Sequence, residues 1–218
     1  MVAVGASIGE LVVGDDPGSW RGAGFTVDAD GTCRLGSVRV LLAGRAIGKG
    51  LRSWTLRDLP NPPPDGAIDA IATGVDGTPP AEPATHVNGT RLIDHLVLMT
   101  PDRARTVAAL EAVGLVVRRV RDAGGTYGVP MSQTFFRLGE VVLEVVAPEE
   151  AAEGPARFFG LALTVDDLDG VAARSAHIGR VKDAVQPGRR IATVDHRALG
   201  LSVAVAFMSP GPAANLDH

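Results

Sequence analysis

Cysteine is almost absent from the sequence, which contains Cys33 alone and no Cys-x-x-Cys pair. A single cysteine cannot form an intrachain disulfide, and a chain without clustered cysteines cannot build a thiolate zinc site. We therefore expect the 218-residue chain to be stabilised by a hydrophobic core in a reducing compartment. Two interpretations of Cys33 remain, a reactive thiol and an inert small residue beside a hairpin.

Aromatic residues are scarce, at 4% of the chain, and basic residues form no long run. The net charge is -4, and basic residues cluster only at Arg118, Arg119 and Arg121 and at Arg189 and Arg190. A nucleic-acid-binding surface usually gathers lysine and arginine on one face, with aromatic residues between them for base stacking. We therefore expect no nucleic-acid partner.

Long apolar runs are also missing. No stretch approaches the roughly 20 apolar residues that a membrane helix needs, and the start of the sequence lacks the pattern of a signal peptide. We therefore expect a cytoplasmic protein with no membrane partner. Phosphate-binding loops, dinucleotide fingerprints and nucleophile elbows are absent as well, so phosphoryl transfer, dinucleotide chemistry and serine hydrolysis have no support.

A hairpin at residues 133–146 turns at Gly139-Glu140. A two-residue turn sets the register, which places Phe135 opposite Glu144. Side-chain alternation then separates an apolar face from a mixed face that is suited to lining a cleft. The mixed face carries Gln133, Phe135, Arg137, Val142, Glu144 and Val146. On the strand predicted at residues 92–99, alternation places Ile93, His95, Val97 and Met99 together.

The pattern strand, helix, three strands occurs twice in the second part of the chain. We predict a first βαβββ module at residues 91–154 and a second at 155–210, followed by a tail at 211–218. Residues 1–59 contain a degenerate module, because Arg34-Leu-Gly-Ser-Val resembles Arg137-Leu-Gly-Glu-Val. Residues 60–90 are rich in proline and glycine and are predicted to be a linker with one short strand.

Four phrases occur in an order typical of the vicinal oxygen chelate superfamily, the glyoxalase, bleomycin-resistance and extradiol dioxygenase group. They are Ile93-Asp-His-Leu-Val-Leu98, Phe136-Arg-Leu-Gly139, Val142-Leu-Glu-Val-Val146 and Leu163-Thr-Val-Asp-Asp-Leu-Asp169. The resemblance implies an α+β fold in which paired βαβββ modules form a curved, mixed and antiparallel sheet around a cleft. Here a shortened extra N-terminal module precedes the pair. The fold does not decide the reaction, since the superfamily includes both enzymes and binding proteins.

In this superfamily a metal lies between two modules, and the resemblance assigns His95 and Glu144 to the ligand pair of the first module. The second module has Gly160 and Ala204 at the matching positions. The cofactor is therefore either none or a divalent metal with an incomplete ligand set, which Glu10 of the extra module or a dimer partner could complete. The structural alternative is that His95 and Glu144 hydrogen-bond each other, with Arg137 beside the carboxylate.

Small residues occupy the predicted cleft face of the second module. They leave space either for a bulky ligand or for a side chain of the extra module, such as Trp20 or Trp54. Polar residues follow at 182–191: Lys182 as a point charge, Gln186 as an amide and Arg190 as a fork could orient an anionic or carbonyl ligand. The alternative is a solvated strand edge.

The leading functional hypothesis is a glyoxalase-like protein acting on a small molecule. As a lyase or isomerase, it would use Glu144 as a base on a carbon next to a carbonyl, with His95 binding the carbonyl oxygen directly or through a metal. Gln133, Phe135, Arg137, Lys182, Gln186 and Arg190 would contact the substrate. The alternatives are a non-catalytic protein that sequesters a hydrophobic compound and a structural module with a filled cleft. An exposed module edge also favours a homodimer.

Overall fold

The computed structural model describes residues 5–124 and 130–211, arranged as a six-stranded and an eight-stranded sheet. The tail predicted at 211–218 lies outside the described residues from 212 onward. No helix in the described part of the chain is long and apolar enough to cross a membrane.

The first sheet has the strand order β2-β3-β1-β4-β6-β5. Its elements are β1 (Ser7–Val13), α1 (Pro17–Gly22), β2 (Thr32–Leu35), β3 (Val38–Leu42), β4 (Leu51–Arg57), β5 (Ala67–Ile68) and β6 (Ile71–Val75). Short 3-10 turns lie at Arg45–Ile47 and Pro64–Gly66.

The second sheet has the strand order β12-β13-β14-β11-β7-β10-β9-β8. Its first module comprises β7 (Thr90–Met99), α2 (Arg103–Ala112), β8 (Val117–Gly124), β9 (Met131–Leu138) and β10 (Val141–Pro148). Its second module comprises β11 (Arg157–Val165), α3 (Leu168–Arg174), β12 (Lys182–Asp183), β13 (Arg190–Thr193) and β14 (Ala204–Met208).

The strand pairing of the second sheet confirms the α+β architecture of paired βαβββ modules. The first and last strands of each module pair in parallel, β7 with β10 and β11 with β14. The two modules join through the antiparallel pair of β7 and β11. The same order of elements is therefore used twice around the centre of one sheet.

The first sheet follows the same plan in shortened form. β1 pairs in parallel with β3 and antiparallel with β4, and β4 pairs in parallel with β6. The strands β5 and β6 lie within the segment predicted to be a linker, where Ile68 and Ile71 join the core and stabilise the pairing. The first sheet thus contains two abbreviated units, whereas the sequence suggested one. The proposed division at residues 60 and 90 stays a prediction.

Both helices of the second sheet begin at an aspartate. The side chain of Asp102 accepts a hydrogen bond of 3.0 Å from the Arg105 backbone N–H, and the side chain of Asp167 accepts one of 2.8 Å from Gly170. These bonds satisfy N–H groups that have no partner inside a helix. Helix α2 buries Leu110 in the core. The helices therefore cover the apolar face of the sheet and leave the mixed face for a site.

The register of the hairpin confirms the sequence-based prediction, since Phe135 pairs with Glu144. The prediction for β7 is wrong at Ile93. Opposite β11, His95 pairs with Ala162 but Ile93 pairs with Leu163, so Asp94 is the extra residue of a β-bulge. The bulge breaks the alternation, and Ile93 is fully buried in the core while His95 lines a cavity.

Candidate functional site

A cavity of about 360 Å³ lies on the mixed face of the second sheet. Its floor comes from the hairpin and β7, and one wall comes from the segment that contains β12. Seven polar and six apolar residues line it, a combination of apolar surface and convergent polar groups that occurs in small-molecule sites. The lining residues are His95, Arg121, Gln133, Phe135, Val142, Glu144, Lys182, Asp183, Ala184, Val185, Gln186, Ile191 and Met208.

The carboxylate of Glu144 is buried at the floor of this cavity. Its Oε2 atom lies 3.5 Å from Nε2 of His95, and its Oε1 atom accepts a hydrogen bond from Nε2 of Gln133. Burial raises the pKa of Glu144, against the lowering influence of His95, Arg121 and the Gln133 hydrogen bond. The carboxylate therefore holds a proton more strongly than an exposed glutamate does.

Gln133 connects Glu144 to Arg121, a residue of β8. The Oε1 atom of Gln133 accepts a hydrogen bond of 2.8 Å from Nε of Arg121. Because a guanidinium can only donate, the amide oxygen of Gln133 must face Arg121 and its amide nitrogen must face Glu144. The guanidinium also lies 5.8 Å from the centre of the Phe135 ring. Arg121 therefore sets the orientation of the amide that holds the carboxylate.

Asp94 fixes the imidazole of His95 from the other side. Its Oδ1 atom lies 3.0 Å from Nδ1 of His95. Burial alone would raise the pKa of Asp94, but hydrogen bonds from His95 and Arg189 outweigh burial and lower the pKa to about 2. An ionised carboxylate can only accept, so Nδ1 of His95 carries a hydrogen and Nε2 is the atom that faces Glu144.

Arg189 anchors Asp94 in turn. The guanidinium donates to Oδ2 of Asp94, to the side chain of Gln186 and to the backbone oxygen of Ser209. Arg189 is buried, whereas the next residue, Arg190, is exposed and pairs with Asp169. Of these two consecutive arginines, Arg189 therefore supports the site and Arg190 faces solvent.

Six residues predicted for the site line the cavity, and two lie elsewhere. The six are His95, Gln133, Phe135, Glu144, Lys182 and Gln186. Arg137 is exposed near the turn of the hairpin, opposite Val142. The cation beside the Glu144 carboxylate is instead Arg121, which lies on β8, the strand that precedes the hairpin in the chain. Arg190 is held at the surface by Asp169.

The donor set does not fit a metal held by both modules. The register of β14 with β11 places Ala204 opposite Gly160, as Val142 lies opposite His95, so the counterpart of Glu144 is Ala206. This corrects the assignment of Ala204, and neither alanine can bind a metal. Within residues 5–124 and 130–211, no group of three or more His, Cys, Asp or Glu side chains could hold an ion. Glu10 does not complete the set, because it lies on β1 of the first sheet.

Close strand contact explains Gly160. A Cβ atom at this position would lie 2.4 Å from the backbone oxygen of Ala204 and 2.9 Å from its Cβ atom. A histidine could therefore not occupy position 160 without moving a strand. The glycine permits β11 and β14 to pair closely, and it is not a sign of space for a bulky ligand.

The two tryptophans do not fill the cavity. Trp20 donates a hydrogen bond of 3.1 Å to the buried carboxylate of Asp15, and Trp54 donates one of 2.7 Å to Thr73. The Trp54 ring packs edge-on against Phe158, 5.3 Å between centroids. Both indoles therefore belong to the core, and the alternative in which one of them inserts into the cleft is not observed.

Sequence reasoning missed four charged residues of the site, Asp94, Arg121, Asp183 and Arg189. The one local signal was the position of Asp94 beside His95, which strand alternation assigned to the opposite face. Arg121 and Arg189 were visible only as members of short basic clusters. Their roles depend on which neighbouring strand each side chain crosses.

No protein-family model and no curated protein matches the chain. Among solved structures, a triple mutant of 4-hydroxymandelate synthase from Streptomyces coelicolor is similar, with a TM-score of 0.64 at 13% identity over 96% of this chain and 94% of that one. A xylose isomerase-like TIM barrel/4-hydroxyphenylpyruvate dioxygenase fusion protein reaches a TM-score of 0.59 at 13% identity, over 96% of this chain and 50% of that one. Methylmalonyl-CoA epimerase from Mycobacterium tuberculosis has a TM-score of 0.45 at 15% identity, over 57% and 91%. The two higher scores confirm the predicted fold and, at such identities, the fold alone.

Proposed function

We propose that this chain, which has the paired βαβββ fold of the vicinal oxygen chelate superfamily, acts on a small carbonyl compound by moving a proton on the carbon next to the carbonyl. The observation that supports this most directly is the 3.5 Å separation of His95 Nε2 and Glu144 Oε2 at the floor of an open cavity. A base and a hydrogen-bond donor at this spacing can address one C–H bond and the adjacent oxygen.

Glu144 is the proposed base. Burial raises the pKa of Glu144 towards neutral pH. A general base transfers protons most efficiently when its pKa lies near the pH at which it works. Its Oε1 atom is held by Gln133, so Oε2 is the oxygen that faces His95 and the substrate. The carboxylate is thus oriented before a ligand arrives.

His95 is the proposed partner of the carbonyl oxygen. Asp94 accepts from Nδ1, which directs Nε2 towards the cavity, and Nε2 acts as a donor when it carries a proton as well. From Nε2 this group donates a hydrogen bond to the oxygen on which negative charge develops. Arg189 keeps Asp94 in place for this task.

The proposed reaction needs only the substrate and the side chains of Glu144 and His95. The C–H bond breaks, its electron pair forms the carbon–carbon double bond of an enolate, and the proton moves to Oε2 of Glu144. In an isomerisation Glu144 then returns this proton to a different carbon of the conjugated system. In a lyase reaction the electron pair of the enolate instead forms a double bond to the next carbon, as the leaving group on that carbon departs with its bonding pair. No metal takes part, in keeping with the donor set of the site.

The cavity wall suggests how a substrate is oriented. Lys182 and Gln186 offer an ammonium and an amide at one side, while Phe135, Val142 and Met208 offer apolar surface. A carbonyl compound that also carries a carboxylate suits this combination. The proposed site therefore consists of His95, Glu144, Gln133, Phe135, Lys182 and Gln186, with Arg121, Asp94 and Arg189 holding it in place.

The test is exchange of carbon-bound hydrogen with solvent. A panel of small 2-oxo acids and 3-oxo acids is incubated with the protein in D₂O, and loss of the proton signal next to the carbonyl is followed by NMR. We expect exchange of one or more panel members above the buffer rate, at least about a hundredfold slower in Glu144→Gln. Glu149→Gln, at an exposed glutamate just past the hairpin, is the matched control. Exchange that is equal in Glu144→Gln and in the unaltered protein would rule out Glu144 as the base.

A second function is supported by the apolar part of the cavity. Val142, Val185, Ile191 and Met208 line it, and Val185 is 71% exposed. A protein that sequesters a hydrophobic compound would use this surface without proton transfer. Saturable binding of a hydrophobic carbonyl compound, equally tight in Glu144→Gln and without exchange in either form, would favour this function.

The homodimer stays a prediction, and sedimentation can check it.

A further inference from the structure

A second cavity, which shares no lining residue with the cavity of His95 and Glu144, is surrounded by basic side chains. It has a volume of about 460 Å³, within the range of small-molecule sites. Its ionisable lining residues among the described residues are Arg45, Lys49, His196 and Arg197, and none is acidic. The chain as a whole has more acidic than basic residues, 25 against 21. A cavity with basic groups alone is therefore not a consequence of composition.

Two loops form this cavity. One connects β3 to β4 and contains the 3-10 turn at Arg45–Ile47, and the other connects β13 to β14 and contributes residues 196–202. The backbone N–H of Gly50 donates a hydrogen bond of 2.7 Å to the Ser202 hydroxyl, and the guanidinium of Arg45 donates to the backbone oxygen of Gly200. Contacts between the two sheets thus hold the loops together without a ligand.

Asp15 anchors the floor and neutralises only Arg45 among the basic residues of the cavity. Its carboxylate is fully buried and accepts hydrogen bonds from the Ser202 backbone N–H and hydroxyl and from Trp20. Arg45 lies 3.3 Å from the same carboxylate, so these two charges balance each other. Asp195, in the loop between β13 and β14, accepts a hydrogen bond from the backbone N–H of Ala198 and does not line the cavity.

Lys49 and Arg197 are the two charges left over. Both side chains are exposed, and neither forms an ion pair within residues 5–124 and 130–211. An arginine fork and a lysine point charge at the edge of one cavity are suited to the oxygens of a phosphate group. The Ser202 hydroxyl takes no part in this recognition, because its hydrogen is donated to Asp15.

We propose that this cavity binds a compact phosphate-bearing anion through Lys49 and Arg197, with Arg45 held by Asp15 as the fixed wall of the site. The site shares no residue with the cavity of His95 and Glu144, so it does not depend on the function proposed above. The phosphate could be free or part of a larger molecule, and the same two side chains would recognise both.

The test is a titration of the full ¹⁵N-labelled chain with pyrophosphate at low ionic strength, followed by NMR. We expect saturable shifts of the backbone signals of Lys49, Arg197, Gly200 and Ser202. The double variant Lys49→Gln/Arg197→Gln should bind about tenfold more weakly or not at all. Arg118→Gln/Arg119→Gln also loses two exposed charges, on the edge strand β8, and should bind like the unaltered chain.

Further titrations identify the source of the phosphate. Inorganic phosphate, AMP and adenosine are compared under the same conditions. Binding of AMP but not adenosine supports the proposal and shows that a larger phosphate ester is accepted, whereas binding of phosphate alone supports a free anion. Unchanged pyrophosphate affinity in Lys49→Gln/Arg197→Gln, an equal loss in Arg118→Gln/Arg119→Gln, or no saturable shift with any phosphate compound would overturn it. Matching melting curves of both variants show that each is folded.

Discussion

Nε2 of His95 lies 3.5 Å from Oε2 of Glu144, although the two residues are not partners across the strands. In the parallel pair of β7 and β10, His95 lies opposite Val142 and Glu144 lies opposite Val97. The side chains meet diagonally because both rise from the same face and because Asp94 holds the imidazole by its other nitrogen. The contact therefore depends on the bulge at Asp94 as well as on strand alternation.

Loss of Arg189 should destabilise the fold. Arg189→Met leaves the half-buried Asp94 carboxylate without its buried cation, which costs about 3 kcal/mol of unfolding free energy. Urea unfolding measures this cost. Arg190→Met removes an exposed ion pair one residue away and should change stability by less than about 1 kcal/mol. Equal effects of the two substitutions would show that Arg189 does not support Asp94.

Acid should remove the contribution of Asp94. Its folded pKa of about 2 lies below the ordinary value of 3.8, so the folded state binds fewer protons than the unfolded state between these values. The contribution is present above pH 3.8, amounts to about 2 kcal/mol and is lost as the pH falls towards 2. Glu144 has a raised pKa and acts in the opposite sense, since its contribution is lost as the pH rises.

The pH dependence is tested by comparing unfolding free energies of the unaltered chain and Asp94→Asn from pH 6 down to the lowest pH at which both fold. We expect the two curves to converge as the pH falls, because the variant has no carboxylate to protonate at position 94. Curves that stay parallel would show that Asp94 has an ordinary pKa in the folded state.

Gly160→Ala should destabilise the second sheet. The added Cβ would lie 2.4 Å from the Ala204 backbone oxygen, and backbone atoms of a paired strand can move little. We expect a loss of about 1 to 3 kcal/mol in urea unfolding, typical of overpacking. Gly77→Ala is the matched control, because a Cβ there meets no atom within 4 Å. An unchanged free energy of unfolding in Gly160→Ala would mean that β11 and β14 can separate locally at no cost.

Cys33 should be unreactive in the folded protein. Burial raises the pKa of its thiol to about 12, so almost no thiolate is present at pH 8. We expect no reaction with Ellman's reagent until urea unfolds the chain, when one thiol is titrated. Fast labelling of the folded chain would restore the interpretation of Cys33 as a reactive thiol.

Much of the fold was predictable because strand alternation and turn length act locally. The hairpin register, with Phe135 opposite Glu144, followed from a two-residue turn. The paired modules followed from the pattern of one strand, one helix and three strands, which occurs twice, at residues 91–154 and 155–210. Strands β5 and β6 were harder to recognise, because two and five residues between prolines and glycines carry little periodic signal and form by pairing with β4.

The candidate site was predictable as a face but not as a network. Sequence alternation by itself placed Gln133, Phe135 and Glu144 on one surface, because successive side chains of a strand point to opposite sides. Tertiary structure alone decided that Arg121 orients Gln133 and that Arg189, not Arg190, holds Asp94. Long arginine side chains reach across strands that are distant in sequence, and a bulge shifts the alternation by one residue. Those contacts are set by the packing of neighbouring strands, which no local pattern records.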